Sequence, residues 1–149
     1  MTPQSALKAD SIRDKLTADH QRLEKRFDDV LRRLALDDRD ETRDAWNEFD
    51  RGLTAHLDAE EKLILPAFAF AFPEEAAAIR KEHESIRAKL LELGVAVDLH
   101  SIRWPAAADF VAELRAHATR EDALMYRWAE KNLEETVRAA LVRGLLTRV

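Results

Sequence analysis

The sequence predicts an all-α fold, an up-down-up-down four-helix bundle with a short extra C-terminal helix. Three observations carry this. First, four stretches share one heptad rhythm of alternating four- and three-residue steps, which keeps each set on one helix face. They read Leu16, His20, Leu23, Phe27, Val30, Leu34; Phe49, Leu53, His56, Glu60, Leu63, Ala67; Ile79, His83, Ile86, Leu90, Leu93, Val97; and Phe110, Leu114, His117, Glu121, Leu124, Trp128. Second, glycine (three) and proline (four) are scarce in the 149 residues, too scarce for a β-rich fold with many tight turns. Third, the connections between the stripes are short, which implies antiparallel neighbours.

Residues 1–9 read as a flexible lead-in. Asp10 or Ser11 can cap a first helix running to about Leu36. Residues 37–40 form a polar turn. A second helix starts near Glu41 and is expected to end close to Pro66, which removes a backbone donor and clashes one turn back. Phe68, Phe70 and Phe72 read as an apolar linker packed on the bundle end. Pro73, followed by Glu74 and Glu75, opens a third helix, because proline and acids both suit a first turn. It runs to about Leu99, with Gly94 as a weak point. Pro105 opens the fourth helix, which reaches about Asn132. An amphipathic helix from Glu134 to Leu146 closes the chain, its Val137, Leu141 and Leu145 stripe covering the bundle or pairing with a second subunit in a homodimer. The expected organisation is a lead-in (1–9), the bundle (10–132) and the C-terminal helix (133–149).

Each stripe places histidine, or histidine with glutamate, where an apolar residue belongs. Burying one polar group without a partner costs roughly 2–7 kcal/mol, and a domain's whole stability is about 5–15 kcal/mol. Six such groups must therefore satisfy one another, and a metal centre is the simplest way. The chain also repeats itself. The first stripe maps onto the third with a shift of 63 residues, and His56 and Glu60 map onto His117 and Glu121 with a shift of 61. Each half is a helical hairpin with a lone histidine on its first helix and a His-x-x-x-Glu pair on its second. Two equivalent ligand sets point to two metals. Imidazole suits zinc, copper, iron and nickel, carboxylate suits harder ions, and the mixed set is a reasonable home for iron. Two carboxylates can bridge a metal pair about 3.5–4 Å apart. Each metal then receives two imidazoles and two carboxylate oxygens. An octahedral ion keeps positions for a bridging oxide or hydroxide and a small exogenous ligand.

Composition excludes other classes. A net charge of −5 with no basic stripe argues against nucleic-acid binding. The absence of cysteine excludes disulfides, thiolate sites and cysteine nucleophiles. No apolar run approaches the roughly 18 residues of a membrane span, and residues 1–10 lack the apolar segment of a secretory signal. A cytoplasmic protein with no membrane partner is the expectation.

His20, His56-Leu57-Asp58-Ala59-Glu60, His83 and His117-Ala118-Thr119-Arg120-Glu121 resemble the H…HxxxE…H…HxxxE pattern of hemerythrin-like HHE cation-binding domains, over about residues 10–132. The resemblance implies a four-helix bundle holding a non-haem di-iron site, with metal ligands His20, His56, Glu60, His83, His117 and Glu121. It also implies a centre that binds or reacts with O2, nitric oxide or peroxide. Oxygen-carrying members have a further histidine where this chain has Arg87, so the site resembles the four-histidine, two-glutamate branch instead. Carriers use an acid five residues after the fourth-helix histidine, here Asp122; the repeat and the heptad face favour Glu121.

The remaining candidates are read more plainly. Glu61 and Asp122 are either hydrogen-bond partners for ligand histidines or surface acids. Asp19 and Glu82 carry the same two readings, with surface acids favoured, and His100 reads as a solvated loop residue. Tyr126, half a turn off the ligand face, reads as rim packing, with a redox or hydrogen-bonding role as the alternative. Trp46, Trp104 and Trp128 read as core and end-cap residues. Ferritin-like centres use Glu-x-x-His with extra glutamates, so the reverse order here disfavours ferroxidase chemistry. The expected function is sensing, storage or detoxification of a small oxidant or diatomic gas. The alternatives are a peroxide-disproportionating or other di-iron redox enzyme, or a non-redox metal-binding module.

Overall fold

A computed structural model describes residues 11–146 of the chain, so the expected lead-in lies outside the described residues. Helix α1 spans Ile12–Ala35. Its N-cap is Ser11, whose hydroxyl accepts from the Asp14 N–H, a contact worth about 0.5–2 kcal/mol. Helix α2 spans Arg39–Ala59, capped by Asp38 through the Glu41 N–H at 3.0 Å. A wide π turn over Glu60–Ile64 joins it to α3, Leu65–Ala71. Helix α4 spans Pro73–Asp98, α5 spans Trp104–Ala123, α6 spans Met125–Asn132 and α7 spans Glu135–Leu146. No strand occurs among the described residues, and the all-α bundle is observed.

Three expectations are corrected. The second helical arm does not stop at Pro66. The π turn widens the backbone before it, and proline then sits in the first turn of α3, where its missing N–H costs nothing. The segment from Phe68 to Phe72 is consequently helical to Ala71, burying Phe68 but leaving Phe70 92% exposed. Trp104 is likewise exposed rather than an end cap, whereas Trp46 is buried. Gly94 is where that indole packs: a Cβ there would lie 3.2 Å from Trp46 Nε1.

The most consequential departure is a register slip. Past Glu60 the buried residues are Ile64, Leu65 and Phe68, while Ala67 is exposed and Leu63 only partly buried. Past Glu121 the arm breaks at Leu124 (φ −134°, ψ −56°). The buried residues there are Met125, Tyr126 and Ala129, one step beyond Leu124 and Trp128. Both slips fall immediately after the His-x-x-x-Glu pairs and obey the 61-residue repeat. Single-turn π distortions of this kind often accompany functional sites.

The slips divide the interior in two. One apolar cluster is built around Phe27, Trp46, Phe49 and Phe110. Its Phe27–Phe49 and Phe27–Phe110 ring centroids lie 5.0 and 5.6 Å apart, each such pair adding about 0.5–1.5 kcal/mol beyond area burial. The other contains Ile12, Leu16, Ile64, Phe68, Ile79 and Met125, closed by Leu141 and Leu145 of α7. The buried polar side chains Asp19, His56, Glu60, His83, His117 and Glu121 form a layer between the two.

Candidate metal centre

All six residues read from the heptad stripes converge. His20 enters from α1, His56 and Glu60 from α2 and its π turn, His83 from α4, and His117 and Glu121 from α5. Their ligand atoms form two overlapping groups, His20/His56/Glu60/Glu121 and Glu60/His83/His117/Glu121, each with atoms within 4.8 Å of one another. Both carboxylates belong to both groups. Glu60 Oε2 lies 2.8 Å from His56 Nε2, and its Oε1 lies 3.2 Å from His83 Nε2. Glu121 Oε1 lies 3.3 Å from His20 Nε2; its Oε2 lies 3.0 Å from His83 Nε2 and 2.9 Å from His117 Nε2. Every histidine thus turns Nε2 inward, and each carboxylate spans the two histidine pairs.

The outward nitrogens explain why the rings face this way. His56 Nδ1 donates to Asp19 at 2.6 Å, His117 Nδ1 to Glu82 at 2.7 Å, and His83 Nδ1 to Glu61 at 2.8 Å. The Asp19–His56 and Glu82–His117 bonds are repeat equivalents, so the two acids read as surface residues are positioning groups. Glu61 resolves the same way. Asp122 does not: it forms a two-point ion pair with Arg13 at 2.7 and 3.0 Å, and it is Glu121 that faces the centre. Among the described residues, His20 Nδ1 has no matching carboxylate. Arg87 holds Glu61 and Asp58, and His100 is tied to Asp37 at 2.6 Å rather than simply solvated.

Tyr126, which the heptad spacing placed at the rim, enters the cluster. The break at Leu124 turns it inward, fully buried. Its hydroxyl donates to Glu60 Oε2 at 2.5 Å and lies 2.9 Å from Glu121 Oε1, 2.6 Å from His20 Nε2 and 3.2 Å from His56 Nε2. It stands amid the four ligand atoms of the first group. The signal was present in the repeat, since Tyr126 maps onto Leu65 and Met125 onto Ile64.

The electrostatics follow. Burial alone would lower the His56 pKa, but the Glu60 and Asp19 carboxylates outweigh it and push it up to about 10. For His83, burial is likewise outweighed, here by Glu121 and Glu60, and its pKa also rises to about 10. His117 is raised against burial by Glu121 and Glu60. Glu121, which burial alone would raise, is held well below the usual carboxylate range by the close approach of His117 and by hydrogen bonds from His20 and His83. Burial and the two carboxylates push Tyr126 well above its ordinary value. Protons and carboxylates balance one another here, and a cation could replace those protons.

The residues fit a metal by a second observation. Glu60 Oε1 and His117 Nε2 are buried without a hydrogen-bond partner. Their approaches to His83 and Glu121, 3.2 and 2.9 Å, bring opposite groups together without the directionality of a hydrogen bond. Such orphaned atoms cost about 1–3 kcal/mol each, and both aim into the cluster.

A helical bundle with three buried imidazoles, a fourth partly exposed one and two shared buried carboxylates converging between its apolar clusters defines a protein built to hold metal cations. The family model for the hemerythrin HHE cation-binding domain matches residues 11–140, and the chain belongs to that family. No curated protein and no solved structure matches it. No helix among the described residues is long and apolar enough to cross a membrane.

Proposed function

We propose that this protein holds two iron ions and uses them to bind or react with O2, nitric oxide or peroxide, in sensing, storage or detoxification. The observation that carries the reading is the sharing of Glu60 and Glu121 by the two histidine pairs, the arrangement a bridged metal pair requires. His20 and His56 would hold one ion, His83 and His117 the other, and the carboxylates would bridge them. The pair supplies one-electron redox chemistry and open coordination positions for a small ligand.

The chain's own groups do the rest. Asp19, Glu61 and Glu82 orient imidazoles and raise their basicity. Tyr126 holds a proton within reach of both bridging carboxylates and two imidazoles. The apolar clusters shield the polar layer from water above and below. Arg87, at the position where oxygen carriers have another histidine, instead braces Glu61 behind His83. This favours the four-histidine, two-glutamate set over reversible oxygen carriage.

Anaerobic titration with Fe(II), followed by air, tests the reading. About two irons per chain and a new near-ultraviolet charge-transfer absorption on exposure to air are expected. Saturation at one iron per chain, or zinc retained in place of iron throughout, would sink it.

A further inference from the structure

One side of the cluster is open. A cavity of about 630 Å³ lies between α1 and α5, with His20 and Tyr126 at its floor and Leu23, Phe27, Val111 and Leu114 in its walls. The His20 side chain keeps 17% of its surface exposed, whereas the other five convergent residues are at most 3% exposed.

The repeat shows what opens this side. The equivalent face beside His83 carries Leu57 where this one carries Ala118. That face also carries Arg87, clamped to Asp58 and Glu61, where this one carries Glu24. This face has inter-helix ion pairs of its own, Arg115 with Glu24 and Arg13 with Asp122, so the smaller side chain at Ala118 is what leaves one half of a symmetric design unfilled.

The volume exceeds what a diatomic gas or hydrogen peroxide needs. A water molecule's share of liquid is about 30 Å³, so the cavity is equivalent to roughly twenty waters. It falls within the range of about 300–1,000 Å³ typical of sites for organic ligands. Its chemistry is divided, with aliphatic and aromatic walls and one exposed polar group at the cluster side, the His20 imidazole, since the Tyr126 hydroxyl is buried against Glu60 and Glu121. Of the four charged side chains in the lining, Glu24 pairs with Arg115, Asp122 pairs with Arg13, and the charge of Arg127 acts on Asp122, a balance that favours a neutral head group.

We propose that this cavity binds a small organic molecule with an aliphatic tail and one neutral oxygen head, an alkanol or an alkyl hydroperoxide. The tail lies against Leu23, Val111, Leu114 and Ala118, and the head faces the exposed edge of His20. The proposal rests on the metal-centre reading only for what the head group faces; the tail site is a property of the fold.

Calorimetric titration of the zinc-loaded and the metal-free protein with butanol, hexanol and octanol tests it, zinc being redox-silent. Saturable binding of one molecule per chain is expected, tightening about fourfold per added methylene. Hexyl hydroperoxide should match hexanol within about threefold, and hexanoate should bind at least about tenfold more weakly. Ala118→Leu, which installs the residue of the closed face, and Val111→Phe should each weaken hexanol binding by about tenfold or more, with zinc stoichiometry unchanged. Absence of saturation in both forms overturns the assignment, as does hexanol binding untouched by both variants. Hexanoate binding as tightly as hexanol overturns the neutral head. Octanol bound by a chain that takes up neither zinc nor iron upholds the cavity and removes the metal-centre reading instead.

Discussion

Replacing Asp19 with asparagine should selectively weaken one of two metal-loading steps. The substitution keeps the size of the side chain and an acceptor beside His56 Nδ1 but removes the charge. Asp19 is 1% exposed, and its carboxylate lies 2.6 Å from the imidazole it orients. A hydrogen bond with a charged partner contributes about 1.5–3 kcal/mol. Losing such support for a metal-binding imidazole typically costs about 10–100-fold in affinity, equivalent to about 1.4–2.8 kcal/mol. The repeat supplies the control. Glu82 orients His117 in the same way, and each acid also pairs with an arginine, Asp19 with Arg22 at 3.1 Å and Glu82 with Arg120 at 3.0 Å, but the Glu82 side chain is 33% exposed. Solvent screening makes that charge worth less, so Glu82→Gln should cost under about tenfold. Competition with a chromogenic chelator resolves the two steps, and circular dichroism confirms that both variants fold. Equal weakening of both steps by Asp19→Asn, or a larger loss from Glu82→Gln, would refute the reasoning.

Three further outcomes are expected. Tyr126→Phe should destabilise the metal-free protein by about 1.5–3 kcal/mol, the worth of a hydrogen bond to a charged group, while leaving metal stoichiometry intact; denaturant melts and elemental analysis read the two, and lost loading would contradict this. Glu121→Gln should abolish loading of the pair, whereas Asp122→Asn, which breaks an ion pair whose side chains are 38% and 37% exposed, should cost at most about 1 kcal/mol and leave stoichiometry unchanged. The metal-free protein should be most stable at mildly acid pH. His56 and His83 are raised to about 10 in the folded state, against about 6.5 unfolded, so their contribution is complete below about pH 6.5 and is lost as pH climbs towards 10. Glu121, held low, instead loses its contribution as pH falls. Metal affinity runs the other way from the histidines, rising with pH as ligand protons leave. Melting temperatures of the two forms should therefore separate progressively above pH 7, and parallel curves would argue against ligation by these imidazoles.

The convergence of the six polar side chains was legible in the sequence because side-chain direction on a helix follows from spacing alone. Each sits on a heptad face, and the repeat placed them as two matching sets, favouring Glu121 over Asp122. The partners of the outward nitrogens were not legible in this way. Asp19 and Glu82 precede lone histidines on α1 and α4, yet they orient histidines of α2 and α5. Such bonds depend on how far one helix lies along its neighbour. Asp122 and Glu61 occupy equivalent positions, and only Arg13 beside one and His83 beside the other decided their different partners.

Tyr126 marks the boundary most clearly. Up to Glu60 and Glu121 the heptad holds, and the sequence by itself determined an all-α bundle, its four principal arms and the layer of buried imidazoles and carboxylates. Beyond those residues, Leu63 and Ile64, or Leu124 and Met125, are equally apolar, so periodicity could continue or slip by one. The tertiary structure decided on the slip, which turned Tyr126 into the centre, carried the second arm past Pro66 and buried Phe68. It also left Ala118 beside an open cavity where Leu57 fills the matching face. Spacing within one helix sets which face a residue occupies. The turn width after a buried carboxylate, and the gap between two helices, are set by how both apolar clusters pack around the polar layer at once.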